Sequence, residues 1–308
     1  MPPAFGSGSP ANRREGNTLR LFGREGEQAR LRQLLDTAVG GSGSLLLIGG
    51  EAGIGKTALA NFIEREAHGR GVPVWVGHCY KFVATPPYRP WMESGIFDQR
   101  SEGVPPPPML GVGEESGAAS SQAALFERMQ EFLAAVTRQN PLVLILEDLH
   151  WSDPASLELL RFVSRNLNEL RALLVVTYRD DEMTRQSPLY KLLPTLVRES
   201  GALRIELRRL SERAVQELVA ARYGLAEADE TWLVSYLTNL TAGNPFFTME
   251  LLRTLEEEFV LHREGEGWSL EDPSGIRVPS LLRQVIEGRL ERLGEETQTQ
   301  LAVAAMIG

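Results

Sequence analysis

An apolar run, Leu45-Leu46-Leu47-Ile48, leads into Gly50-Glu51-Ala52-Gly53-Ile54-Gly55-Lys56-Thr57. An amphipathic stretch with Leu59, Phe62, Ile63 and Ala67 on one face follows. Buried strand, glycine-rich turn, helix: this order leaves few folds open to the chain. In that context the spacing G-x-x-x-x-G-K-[ST] predicts a phosphate-binding loop. Its glycines let the backbone curl so that successive N–H groups face phosphate oxygens. The helix beginning near Gly55 adds the positive end of its dipole. Lys56 is placed to bring a point charge to the β- and γ-phosphates, and Thr57 to offer a hydroxyl to Mg²⁺. Gly50, Glu51, Ala52, Gly53, Ile54, Gly55, Lys56, Thr57 and the adjoining Ala58 are the expected contacts of a nucleoside triphosphate. All four fixed positions of the pattern are present, which separates it from a glycine-rich turn that binds nothing.

The 308 residues suffice for one large domain or two ordinary ones with proper cores. A net charge of −9 argues against this chain holding DNA or an anionic membrane through its overall field. The single cysteine, Cys79, excludes an internal disulfide and a cysteine metal cluster. No run of 18 apolar residues occurs and the N-terminus has no signal-peptide core, so a cytosolic (cytoplasmic) protein without a membrane partner is expected.

Residues 1–17 carry turn formers and charges without an apolar period and read as a disordered tail. A helix with Leu31, Leu34, Leu35 and Ala38 on one face precedes the first strand. A second strand is expected over Val72 to Val76. Residues 80–121 read as irregular, with a Pro-rich insertion at 101–121, and a helix is expected from about Gln122 to Thr137. Leu142 to Leu146 is a continuous apolar run, which points to a strand buried on both faces of a parallel sheet, and Arg171 to Thr177 reads as another buried strand. Asp153-Pro154 reads as the cap and first turn of a helix. A helix near Leu189 to Glu199 is expected to be interrupted by Pro194. Leu203 to Leu207 alternates as a last strand. Five strands alternating with helices predict a three-layer α/β sandwich around a five-stranded parallel sheet. From Ser211 the pattern is helical: one helix carrying Val215, Leu218 and Val219, one over about Asp229 to Thr241, one over Phe246 to Leu255. A hairpin turning at Gly265 to Gly267 and a further helix over about Pro279 to Leu293 follow.

A phosphate loop needs a partner strand that presents carboxylate to the Mg²⁺ shell. Glu147 and Asp148, at the end of the Leu142 to Leu146 run, are the candidates for metal and catalytic roles. Asp148 is expected near the metal-bound water or γ-phosphate and Glu147 as the other partner. Arg179 ends the next strand at the same sheet edge; from position alone it is an exposed loop arginine, with the fork and permanent charge that suit a phosphate.

Five blocks occur in sequence: Phe22-Gly23-Arg24-Glu25, the phosphate loop, Leu146-Glu147-Asp148-Leu149-His150-Trp151-Ser152-Asp153, Thr177-Tyr178-Arg179 and Gly243-Asn244-Pro245-Phe246-Phe247. Together they resemble the signal-transduction ATPases with numerous domains, the STAND class of P-loop NTPases. The nearest resemblance is to the large LuxR-type bacterial transcriptional regulators of the maltose-regulator kind, over about residues 20 to 308. It implies an AAA+/STAND-like P-loop NTPase domain at 18–209, a helical lid domain at 210–295, and the start of a winged-helix-like domain at 296–308. It places Phe22, Gly23 and Arg24 near the adenine, Pro245 on the base from the lid, and Arg179 as sensor of the γ-phosphate. His150 and Trp151 are expected to pack at the strand–helix turn. The implied activity is a slow ATPase switch, ADP-closed and ATP-open, that controls self-association. DNA would be reached only through a C-terminal domain not in this chain. An AAA+-type remodelling ATPase and a scaffold that binds ATP without cleaving it are the alternatives. The order Glu147-Asp148 departs from the Asp-then-Glu order of many ATPases and keeps the scaffold open.

Overall fold

The computed structural model describes residues 20–81, 87–96, 122–265, 267–271 and 300. The expected tail at 1–17, the Pro-rich insertion at 101–121, the helix at 279–293 and, Gln300 apart, the segment 296–308 lie outside the described residues.

Helix α1 (Glu25–Val39) buries Leu31, Leu34, Leu35 and Ala38, the face its apolar spacing predicts. Strand β1 (Ser44–Gly49) runs into the phosphate loop, and α2 (Lys56–Gly69) leaves it. Strand β2 is Val74–His78, two residues later than the sequence suggests. Val72 closes the turn after α2 instead, its N–H bonded to Ala67 O at 2.9 Å. The shift lets His78 pair in register with Glu147. A short helix, α3 (Arg89–Glu93), stands in the stretch expected to be irregular. It presses on the sheet because Gly77 has no side chain: a Cβ there would lie 1.8 Å from Pro90 O. Its Trp91 is fully buried and donates to Ser156 O at 3.2 Å, a contact to a distant segment that local pattern does not reveal.

Helix α4 (Gln122–Gln139), β3 (Leu142–Glu147), α5 (Pro154–Arg165), β4 (Ala172–Thr177), α6 (Pro188–Ser200) and β5 (Leu203–Glu206) complete the sheet and the helices that flank it. Asp153 caps α5 by accepting from Ser156 N at 2.8 Å. Helix α6 is not interrupted at Pro194 but continues through it. Pro194 is exposed, so the carbonyl it leaves without an amide partner lies on the solvent side, while Leu189, Leu193 and Leu196 stay packed on the opposite face.

The five strands are all parallel, in the order β2-β3-β4-β1-β5. Successive residues of the central strands feed two cores, which is why these strands read as unbroken apolar runs. Leu45, Leu47, Leu144, Leu146, Leu174 and Val176 face α4, α5 and α6. Leu46, Ile48, Val143, Ile145, Leu173 and Val175 face α1 and α2. Each such side chain, fully removed from water, contributes about 1.5–3 kcal/mol before entropy is counted. Strand β4 lies between the loop-bearing β1 and the acid-bearing β3, so the ends of three neighbouring strands converge on one site.

Helices α7 (Glu212–Tyr223), α8 (Glu227–Thr241) and α9 (Pro245–Glu257) follow, with the hairpin β6 (Leu261–Glu264) and β7 (Gly267–Leu270). They share a third core of Val215, Val219, Leu233, Leu237, Leu251, Leu252, Leu255 and Leu261. Phe22, from the start of the described chain, packs against it. Among the described residues no helix is long and apolar enough to cross a membrane.

Candidate functional site

The loop between β1 and α2 meets the C-terminal ends of β3 and β4. Lys56 opens α2, and its ammonium donates to its own loop, to Gly50 O at 2.7 Å and Glu51 O at 2.8 Å. Burial lowers the Lys56 pKa, Arg179 lowers it further, and Asp148, Asp181 and Asp180 oppose the fall. Gly53, Gly55, Lys56, Thr57, Ala58, Asp148, Arg179 and Phe246 line a cavity of about 240 Å³. On the other side of the loop a groove of about 670 Å³ is bounded by Glu51, Ile54, Asp180, Asp181, Leu207, Arg208 and Arg209.

Glu147 is almost wholly buried. Its Oε2 pairs with His78 Nε2 at 3.2 Å, and its Oε1 is buried without a hydrogen-bond partner in the protein. Burial raises its pKa, the Thr57 hydroxyl and His78 pull it down, and Asp148 adds to the rise. Asp148 has a left-handed backbone, φ 54° and ψ 41°, and its amide donates to Thr177 Oγ1 at 3.0 Å. Thr57, Glu147 and Asp148 offer only oxygen donors, the set a hard cation takes. Among the described residues no group of three or more His, Cys, Asp or Glu is placed to hold a metal by itself. A Mg²⁺ ion shared with phosphate oxygens fits that pattern, because it commonly takes one or two carboxylates and completes its shell from water and substrate.

Arg179 stands opposite Lys56. Its Nη1 donates to Glu182 Oε1 at 2.7 Å, its Nε lies 3.6 Å from Asp148 Oδ1, and its guanidinium covers the Trp151 ring at 4.9 Å. Its amide donates to His150 Nδ1 at 3.3 Å. The His150 side chain is buried and its ring lies tilted against Trp151, centroids 4.4 Å apart, so the pair packs at the turn as expected and also touches Arg179. Burial pushes the His150 pKa down to about 4, so the ring is neutral at pH 7. With Nδ1 accepting, the proton sits on Nε2, 3.8 Å from Glu182 Oε2. Burial alone would raise the Glu182 carboxyl, but hydrogen bonding and charge from Arg179 carry it below its usual value.

Phe22, Gly23, Arg24 and Pro245, the residues expected at the adenine, lie beside the loop and along the seam with the helices that follow. Arg24 is buried and donates to Ile54 O at 3.1 Å and Arg208 O at 2.6 Å, tying loop to sheet edge. Phe22 and Gly23 lie on the seam with the helical domain; a Cβ on Gly23 would meet Ala214 Cβ at 2.6 Å. Pro245 is the first residue of α9, but its neighbours make the contacts to the loop. Buried Asn244 caps α9 with Oδ1 and donates through Nδ2 to Glu51 Oε1 and Ala52 O, each at 3.1 Å. Phe246 N donates to Gly53 O at 3.2 Å. Gly53, at φ +76°, is the residue this approach demands, since a Cβ there would lie 2.7 Å from Phe246 Cβ. Arg209 grips Glu51 at 2.8 and 3.0 Å. Asn244 and Phe246 flank Pro245 in the Gly-Asn-Pro-Phe-Phe block, which was their visible signal; Glu182 and Arg209 have none in the sequence.

Residues 20–176 match the family described as AAA ATPase domain. The chain is 24% identical to an uncharacterized protein of Rhizobium meliloti over 92% of its own length and 29% of that protein's, so it spans less than a third of that relative. Among solved structures it is similar to the ORC1 protein of Aeropyrum pernix in complex with DNA, at 21% identity and TM-score 0.48, over 89% of this chain and 66% of that one. It is also similar to a STAND protein with a tetratricopeptide repeat sensor from Pyrococcus horikoshii, at 16% identity and TM-score 0.45, over 89% of this chain and 34% of that one.

Proposed function

The chain belongs to the AAA ATPase domain family, and on that premise we propose that it is an ATP/ADP switch in which the helical domain senses what the phosphate loop holds. The observation that carries this reading is the docking of the α9 N-terminus on the loop. Asn244 and Phe246 bond directly to Ala52 and Gly53, so a change in loop or ligand acts on the angle between the domains. The sheet domain is taken as 18–209 and the helical lid as 210–295.

In this reading Lys56 and the loop amides hold the β- and γ-phosphates, with Gly50 to Ala58 forming the contact set. Phe22, Gly23, Arg24 and Pro245 bound the base at the seam. Thr57, Glu147 and Asp148 would hold Mg²⁺, which would neutralise charge between the β- and γ-oxygens. Glu147, influenced by Thr57, takes the metal side. Asp148, on the cavity wall beside Arg179, faces the γ-phosphate and the attacking water. Arg179 reads the third phosphate. Hydrolysis is slow, ADP keeps the lid docked, and ATP frees it for self-association. As in the LuxR-type regulators it resembles, the output is transcriptional, and DNA is contacted by another domain.

The test is to denature freshly purified protein and separate any released nucleotide by chromatography. Stoichiometric ADP is the expected result. A protein that yields none and shows brisk steady-state turnover would instead be an ATPase selected for catalysis.

A further inference from the structure

The Arg179 guanidinium is held from three sides. Glu182 Oε1 accepts from Nη1 at 2.7 Å, Trp151 lies under its face at 4.9 Å, and Asp148 Oδ1 stands 3.6 Å from Nε. Its other terminal nitrogen, Nη2, makes no hydrogen bond among the described residues, and the side chain lines the phosphate cavity. Glu182 is committed in turn: Oε2 accepts from Trp151 Nε1 at 3.2 Å. The tether is short, because Arg179 and Glu182 are three residues apart in a turn closed by Met183 N to Asp180 O at 3.2 Å. A guanidinium with one nitrogen anchored and its face stacked has little rotamer freedom left to lose when the other nitrogen meets an anion. Glu182 also offsets a cation that would otherwise face Lys56 across a small cavity.

We propose that Glu182, braced by Trp151, is the positioning residue that presents Arg179 to the third phosphate of ATP. The proposal rests on the nucleotide-switch reading above and adds a part to it. Glu182 is not a competitor that the γ-phosphate must displace: with both oxygens bonded and a short tether, it stays with Arg179 when the phosphate arrives. Its effect is therefore confined to the nucleotide that carries a third phosphate.

The experiment is equilibrium binding of ADP and of the non-hydrolysable analogue AMPPCP to the 308-residue chain and to its Arg179→Ala, Glu182→Ala and Glu182→Gln variants. Glu182→Ala is expected to weaken AMPPCP about tenfold while ADP changes less than about twofold. Glu182→Gln, which keeps the size and one acceptor, falls between, and serves if the alanine variant does not fold. Equal losses for both nucleotides would make Glu182 merely structural, and tighter AMPPCP binding would make it a competitor; either overturns the proposal. If Arg179→Ala loses discrimination and neither Glu182 variant does, the positioning role fails alone. A parent chain that binds neither nucleotide overturns the switch reading and this proposal with it.

Discussion

The phosphate loop is gripped from two sides, and the two grips are built differently. From the sheet it is fixed by chain connectivity: β1 runs in, α2 runs out, and Tyr178 N and Leu207 N bond to Ile48 O and Gly49 O at 3.0 and 2.9 Å. Around that root lie cores of fully buried Leu, Ile and Val. From the helical part the grip is a small set of polar contacts, Asn244 to Glu51 and Ala52 and Phe246 to Gly53, and Arg209, from the link between the two parts, adds its pair with Glu51. Phe246 itself is 41% exposed. A parallel sheet buried on both faces does not yield to one ligand, whereas a few hydrogen bonds worth about 0.5–1.5 kcal/mol each are within reach of a phosphate's differential binding. One side therefore suits holding and the other reporting.

Breaking the first grip has the largest expected effect. Lys56→Ala should lower nucleotide affinity by about 100-fold or more, read by calorimetric titration with ADP, with little change in unfolding midpoint, because among the described residues the lysine bonds to its own loop alone. Unchanged affinity would move the site elsewhere. Next comes Gly53→Ala, which places a Cβ against Phe246 at a positive φ. A loss of about 2–3 kcal/mol in urea denaturation and faster ADP release are expected. Asn244→Ala removes the α9 cap and both bonds to the loop for about 1–2 kcal/mol, with faster ADP dissociation measured by stopped flow. Arg209→Ala breaks a half-exposed ion pair and should cost less than about 1 kcal/mol; a larger cost than that of Asn244→Ala would reverse the ranking of the two contacts. The most gradual response is to pH. His150 has its pKa depressed to about 4 from an ordinary 6.5, so the unfolded chain takes up a proton first as pH falls. That contribution to stability is whole above pH 6.5, is lost progressively toward pH 4, and should flatten in His150→Gln when unfolding is followed across this window.

The holding side was legible in the sequence because its signals are local. The loop spacing, the unbroken apolar runs of β3 and β4 and the Asp153 cap each lie within about ten residues. The reporting side was less so: the Gly-Asn-Pro-Phe-Phe block stood out, but its bond from Asn244 to Glu51 joins residues 193 apart, just as Arg24 and Arg208, 184 apart, meet at the sheet edge. No periodicity records such pairs. Strand order was hidden for the same reason, since parallel strands carry no turn that says which neighbour they take. The expected break at Pro194 failed because the sequence does not say which face of α6 meets water. Glu182 went unnoticed because an acid in a charged turn, Asp180-Asp181-Glu182, has nothing to distinguish it until Arg179 and Trp151 are seen on either side.

The backbone of Asp148 decides which variants of the acid pair can be interpreted. A left-handed residue other than glycine is tolerated best when it is Asn or Asp, whose short polar side chains offset part of the cost. Asp148→Asn keeps that conformation and removes the charge, so it reports on chemistry. Asp148→Ala strains the turn that also sets Leu149, His150 and Trp151, and would shift the platform under Arg179 along with the carboxylate. Activity lost in the alanine variant but kept in the asparagine variant would measure a peptide's preferred torsion, whereas at Glu147, which ends a regular strand, alanine and glutamine variants carry no such ambiguity.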